Sequence, residues 1–184
     1  MNTFIKFGNT KHIKLVEMDD FMYRSKDFLL MEVLNIQGKR MGFINDILIN
    51  FNRGYIEGFG VCCSNLLNKN MSILKEDIIS FNDNMIVKKS VKEEKLRFFK
   101  LKGMEVIDRY GDNMGIVEDI IFDDNSFEIY GLILSRGLIN NFINGKKVLL
   151  IRQLLLGDRD ILYYGDESKI KFKTMPHHIT GINK

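Results

Sequence analysis

The sequence predicts an all-β protein made of two tandem small β-barrels packed against each other. Three observations lead there: an internal repeat, runs of short strand-like segments, and the size of the repeated unit. Setting Met31 to Gly58 against Met104 to Gly131 needs no gap and gives a constant offset of 73 residues. Met31, Glu32, Val33, Gly38, Met41, Gly42, Asp46, Asn52, Ile56 and Gly58 all recur, where a chain of this composition would give roughly two or three matches by chance. The likeness resumes from Ser72 to Val87 and from Lys147 to Tyr163, once a slightly longer loop is allowed in the second copy. Within each copy, runs of β-branched and aromatic residues are bounded by Gly, Asn and Asp, the pattern of short strands joined by tight turns. A unit of about 65 to 70 residues buries only ~60% of its unfolded surface, so two such units are expected to lean on each other.

The elements follow in chain order. Residues 1–22 precede the repeat and read as an extension. Residues 23–88 form the first barrel, with turn chemistry at the Gln37-Gly38 and Asn52-Arg53-Gly54 stretches. Residues 89–97 are a short charged linker, with Leu96, Phe98, Phe99 and Leu101 available to close the second core. Residues 98–165 form the second barrel, with strands expected at 104–108, 115–123, 127–135, 147–151, 154–156 and 160–164. Its reversals lie at Tyr110-Gly111-Asp112-Asn113 and Asp123-Asp124-Asn125-Ser126. Residues 166–184 are a tail.

Composition narrows the class. Of the 184 residues 45% are hydrophobic and 28% charged, the balance of a globular protein with a packed core. No apolar run approaches the ~18 residues of a membrane-spanning helix, and the first twenty residues lack the apolar stretch of a signal peptide. Cys62 and Cys63 are adjacent, which suits neither a disulfide framework nor a zinc site, so a reducing cytoplasm is the expected location. The net charge of +3 is too small to argue for nucleic acid by itself. Two segments are nonetheless basic: Lys88 to Lys102, and the tail from Lys169. The absence of alanine and tryptophan and the wealth of Ile, Asn and Lys resemble proteins of AT-rich bacterial genomes.

Several side-chain groups could carry chemistry. Asp112, Glu118, Asp119, Asp123 and Asp124 bunch around one strand, but their spacing is not that of a calcium loop, and Glu118 and Asp119 are neighbours that face opposite ways on a strand. Only Asp119 has an acidic counterpart in the first copy, Asp46, so turn and backbone-binding roles are favoured over a cation site. His12, His177 and His178 match no ligand spacing, and no Ser, Cys or Thr sits in a nucleophile elbow. We therefore expect no enzyme activity, no catalytic residue, no metal and no cofactor. Leu66 and Leu67, with Leu138, Ile139, Phe142 and Ile143, place large apolar residues in Asn-rich loops and are the candidate partner-binding residues. Contact between the barrels is the plainer explanation for them. Lys88, Lys89, Lys92, Lys95 and Arg97, with Phe98 and Phe99, could neutralise phosphates and stack on bases; the plainer reading has both phenylalanines entering the second core.

The residues Glu105, Val106, Gly111, Gly115, Asp119, Asp123 and Gly131, repeated as Glu32, Val33, Gly38, Gly42, Asp46, Asn50 and Gly58, resemble the PRC-barrel family over roughly residues 23–165. That family takes in the cytoplasmic domain of the photosynthetic reaction-centre H subunit, the carboxy-terminal domain of the ribosome maturation factor RimM, and small free-standing proteins, some from sporulating bacteria. Here no RimM-type amino-terminal domain and no H-subunit-type membrane helix is expected, and Asn50 stands where the second Asp would be. The resemblance implies a non-enzymatic cytoplasmic adaptor that binds a protein partner and leaves a homo-oligomer open. The alternative is a RimM-like factor that contacts ribosomal RNA or protein.

Overall fold

The structure is a computed structural model and describes residues 22–62, 71–137 and 146–165; the candidate residues Leu66, Leu67, Leu138, Ile139, Phe142 and Ile143, and all three histidines, lie outside them. In chain order the elements are β1 (Met22–Arg24), a single helical turn α1 (Ser25–Phe28), β2 (Glu32–Asn35), β3 (Arg40–Asn50), β4 (Tyr55–Cys62), β5 (Met71–Leu74), β6 (Ile78–Phe81) and β7 (Asn84–Val87). They continue with β8 (Leu96–Arg97), β9 (Glu105–Asp108), β10 (Asn113–Asp123), β11 (Ile129–Ser135), β12 (Lys147–Leu150), β13 (Leu154–Leu156) and β14 (Asp160–Tyr163). Short 3-10 turns fall at Lys75–Asp77, Phe98–Lys100 and Ile151–Gln153.

Among the described residues the strands form two seven-stranded sheets of one topology. The first runs β5-β4-β3-β2-β7-β6 with β8 added to β3, and the second runs β12-β11-β10-β9-β14-β13 with β1 added to β10. Within each, all pairs are antiparallel except the central β2–β7 and β9–β14, which are parallel. Among the described residues each hydrogen-bonded path is open. β5 and β6, like β12 and β13, are joined by a 3-10 turn rather than by a ladder, so the sheet coils back on itself without becoming a ring of paired strands.

The two additions cross between the halves. β8 leads into the second half yet pairs with β3 of the first, Arg97 opposite Leu48 and Leu96 opposite Ile49. β1 leads into the first half yet pairs with β10 of the second, Arg24 opposite Ile121 and Tyr23 opposite Phe122. The halves thus exchange their leading segments reciprocally. The turn of one β-hairpin also meets the turn of the other: the Ile56 N–H donates to the Phe127 carbonyl and the Ile129 N–H to the Gly54 carbonyl, both at 2.8 Å.

Hydrophobic burial follows this exchange. One cluster of buried side chains includes residues of both halves, from Val33, Ile47 and Phe59 to Val106, Ile120 and Leu132. At its middle an aromatic group spans the boundary. The Phe28 ring lies 4.8 Å from Phe59 and 5.5 Å from Phe122, and Phe127 lies 6.2 Å from both Phe59 and Phe81, within the range at which aromatic pairs attract. The linker's two phenylalanines divide. Phe98 is buried in the shared core, whereas Phe99 is 74% exposed, because the turn from Phe98 to Lys100 presents only one face inward. Phe99 therefore corrects the expectation that both enter the core.

The glycines shared by the repeats hold close approaches. A Cβ at Gly58 would lie 1.9 Å from the Ile73 carbonyl oxygen, and one at Gly131 would lie 2.3 Å from that of Leu149; both contacts are impossible, so β4 and β11 reach their neighbours only with glycine. Gly42 and Gly115 stand at register shifts in β3 and β10, and Gly38 and Gly111 in the preceding turns, with positive φ.

Candidate partner-binding face

Asp46 and Asp119, the acidic pair common to both repeats, are buried and hold the exchanged segments in place. Asp119 Oδ1 accepts from the Ile120 N–H at 2.8 Å, and from the N–H and Oγ–H of Ser25 at 3.1 and 2.5 Å. Asp46 Oδ1 accepts from the Ile47 N–H at 2.8 Å and the Phe99 N–H at 3.1 Å, while Arg97 Nη1 lies 3.8 Å from Asp46 Oδ2. Each carboxylate thus clasps the chain that leads into the opposite half. Burial pushes the Asp46 carboxyl above its ordinary value, opposed by the Phe99 and Ile47 amides and the Arg97 charge.

Three of the other acidic residues in and beside that strand also have local partners. Glu118 meets Lys146. Asp123 accepts from the Ser126 N–H at 2.7 Å and the Asn125 N–H at 3.1 Å, and these amides hold its carboxyl below the usual range. Asp124 accepts from Asn125 Nδ2 at 2.7 Å, and Asp112 is exposed.

Of the basic linker residues, three face acids within the molecule. Lys95 lies 2.8 Å from Glu93 and 3.8 Å from Glu57, Lys89 lies 3.9 Å from Asp77, and Arg97 lies beside Asp46. Lys88 and Lys92 are exposed.

The surface feature that sequence reasoning missed is on the outer side of β9, β14 and β13. Alternation places Val106, Ile161, Tyr163 and Leu154 inward, all buried, and their neighbours outward, where a sheet face in water would carry polar residues. Instead Ile107, Leu162 and Leu155 stand there, directly opposite one another across three strands. They floor a shallow groove rimmed by Asp158, Arg159 and Asp160, and Leu155 is 56% exposed.

The first half carries the counterpart. Leu34 faces Ile86 across β2 and β7, and Ile86 faces Ser80 on β6. An irregularity between Ile78 and Ser80 turns Ile79 outward, 51% exposed, and Ile36 extends the patch beyond β2. A signal was present in the sequence: Val33-Leu34, Met85-Ile86-Val87, Leu154-Leu155-Leu156 and Ile161-Leu162 are consecutive apolar residues, and in a strand of period two one of each pair must point away from the core.

Residues 93–153 match the model of the PRC-barrel domain family. The match starts in the linker, before β8, and ends with the 3-10 turn that precedes β13. No curated protein matches the chain.

Proposed function

From a PRC-barrel domain at residues 93–153, we propose that the whole chain is a pair of PRC-type barrels acting as a non-enzymatic cytoplasmic adaptor, and that its partner is a protein. The observation that carries this reading is the outward apolar row Ile107, Leu162 and Leu155 with its counterpart Leu34, Ile86 and Ile79. Part-exposed and exposed leucine and isoleucine on adjoining strands lose free energy to water, and a partner's apolar surface recovers it. The domain family supports an interaction role, and both halves carry the face, which suits two contacts with one partner or two partners.

The test is a comparison of captures. Full-length protein and the variant Ile79→Lys with Leu155→Lys are used as bait in source-cell lysate at low and high salt. Loss of one salt-resistant protein from the variant, with melting temperature unchanged, supports the adaptor. Identical captures from both proteins reject it.

One observation favours the alternative, a RimM-like factor contacting ribosomal RNA or protein. Phe99 stands exposed next to Lys100, with Lys102 and Lys92 also exposed, a combination of stacking ring and cations suited to single-stranded RNA. That reading requires binding that falls steeply with salt and is lost on nuclease treatment. It requires Phe99→Ala to weaken binding where the lysine variants of the apolar rows do not.

A further inference from the structure

The two outer apolar rows occupy equivalent places in the repeat but differ in the charges beside them. In the second half the row Ile107, Leu162 and Leu155 has Glu105 and Asp160 along one side, opposite each other on β9 and β14. On the other side, two residues beyond Ile107, stands Arg109. Its Nη2 donates to the Gly165 carbonyl at 3.4 Å, which keeps the guanidinium near the end of β14. Glu105 and Arg109 are both exposed, and Tyr164, next in register to Arg109, is 49% exposed. The first half is built otherwise. Arg40 Nε lies 2.9 Å from Glu32, and at the offset of 73 residues Arg40 becomes Asn113, so Glu105 lacks the guanidinium that its counterpart has. Asn84 opposite Glu32 is replaced by Asp160 opposite Glu105, and Ile36 is replaced by Arg109.

We propose that the second-half face binds a second copy of this chain, face to face, about a twofold axis that runs along the apolar row. The proposal rests on the reading of these rows as binding surfaces and names the occupant of one of them. Such an axis lays Ile107, Leu162 and Leu155 on the same three residues of the partner and reverses the strand direction. Glu105 and Arg109 lie two residues to either side of Ile107, about 7 Å each at the rise of a strand. Reversal therefore sets Glu105 over the partner's Arg109 and Arg109 over the partner's Glu105, two ion pairs flanking a buried apolar row. An axis along the strands would instead set acid over acid, which the charge pattern opposes. The same arrangement on the first face would put Ile36 over a Glu32 that Arg40 already holds, and Lys88 over Asn84. The second face is thus complementary to itself, and the first is left to a different protein.

Sedimentation equilibrium of the purified full chain tests this without a lysate. The natural protein should dimerise reversibly, and Ile79→Lys, on the first face, should leave the dimer unchanged. Leu155→Lys, Glu105→Arg and Arg109→Glu should each raise the dissociation constant about tenfold or more, the first by placing a charge in the apolar row and the others by setting like charges over one another. An equimolar mixture of Glu105→Arg and Arg109→Glu should dimerise again, because the mixed pair restores both attractions. A chain that stays monomeric at every concentration, a dimer insensitive to Leu155→Lys, or charge variants that remain apart when mixed would each overturn the proposal. So would a dimer lost in Ile79→Lys, which would assign self-association to the first face. Capture of a foreign protein through Ile79 is read separately, so the adaptor can stand where the dimer falls and the dimer where the captures are identical.

Discussion

Among the described residues, two hold left-handed backbone without being glycine, and the repeat shows what each is worth. Phe127 has φ 60° where the first half has Gly54, and Leu30 has φ 71° where the second half has Gly103. A side chain in this region costs about 1–2 kcal/mol. At Phe127 the ring offsets it by packing among Phe59, Phe81 and Phe122. Leu30 is 79% exposed and gains nothing comparable. Leu30→Gly should therefore raise stability by about 0.5–1 kcal/mol after the entropic cost of glycine, and Phe127→Gly should lower it by about 2 kcal/mol or more; urea denaturation midpoints decide both. The two interlocking acids offer a second measurement. Asp119→Ala leaves the Ser25 and Ile120 amides buried without an acceptor and should cost about 1–3 kcal/mol. The acids also differ in how pH acts on them. The folded chain holds the Asp46 proton more tightly than the unfolded chain, so this group favours folding below its ordinary value of 3.8 and withdraws that support as pH rises through its raised folded value. Asp123, held down by its turn amides, favours folding above 3.8 and loses that contribution as pH falls through its lowered folded value. Between pH 7 and pH 3 the natural protein should gain melting temperature relative to Asp46→Asn and lose it relative to Asp123→Asn.

At the scale of elements, the strands were legible because their pattern is local. The offset of 73 residues that aligns the sequence also carries β2 onto β9 and β3 onto β10 with identical bounds, and the shared glycines fall where backbone passes backbone. At Gly115 a Cβ would lie 2.7 Å from the Ser135 carbonyl oxygen and the backbone has φ 134°, so Gly115→Val should lower the melting temperature by several degrees, read by thermal denaturation. The outer apolar rows were less legible. A run such as Leu154-Leu155-Leu156 is equally compatible with a strand buried on both sides, and only pairing across β9, β14 and β13 reveals that one side meets water. The exchanged segments left the faintest trace. Pairing between Tyr23 and Phe122 joins residues far apart in sequence and has no periodic signature, and of residues 22–30 only Arg24 recurs at the repeat offset, as Arg97.

At the scale of the whole molecule, each half completes its sheet with the other half's leading strand, and the aromatic group from Phe28 to Phe127 belongs to both. Among the described residues the main buried cluster draws on both halves, so neither half keeps it once the other is lost. Thermal unfolding should therefore be a single transition in which calorimetric and van't Hoff enthalpies agree, and two well-separated transitions would mean that the shared core contributes little. The same exchange imposes an order on synthesis. Ser25 leaves the ribosome 94 residues ahead of Asp119, the side chain that anchors it. At ~5–20 residues per second, the nascent chain presents Tyr23 and Phe28 without their strand partner for roughly 5–20 s. The protein's exposure to chaperones and to misassembly is thus concentrated in that interval, and it is set by the position of β10 in the gene rather than by the stability of the finished fold.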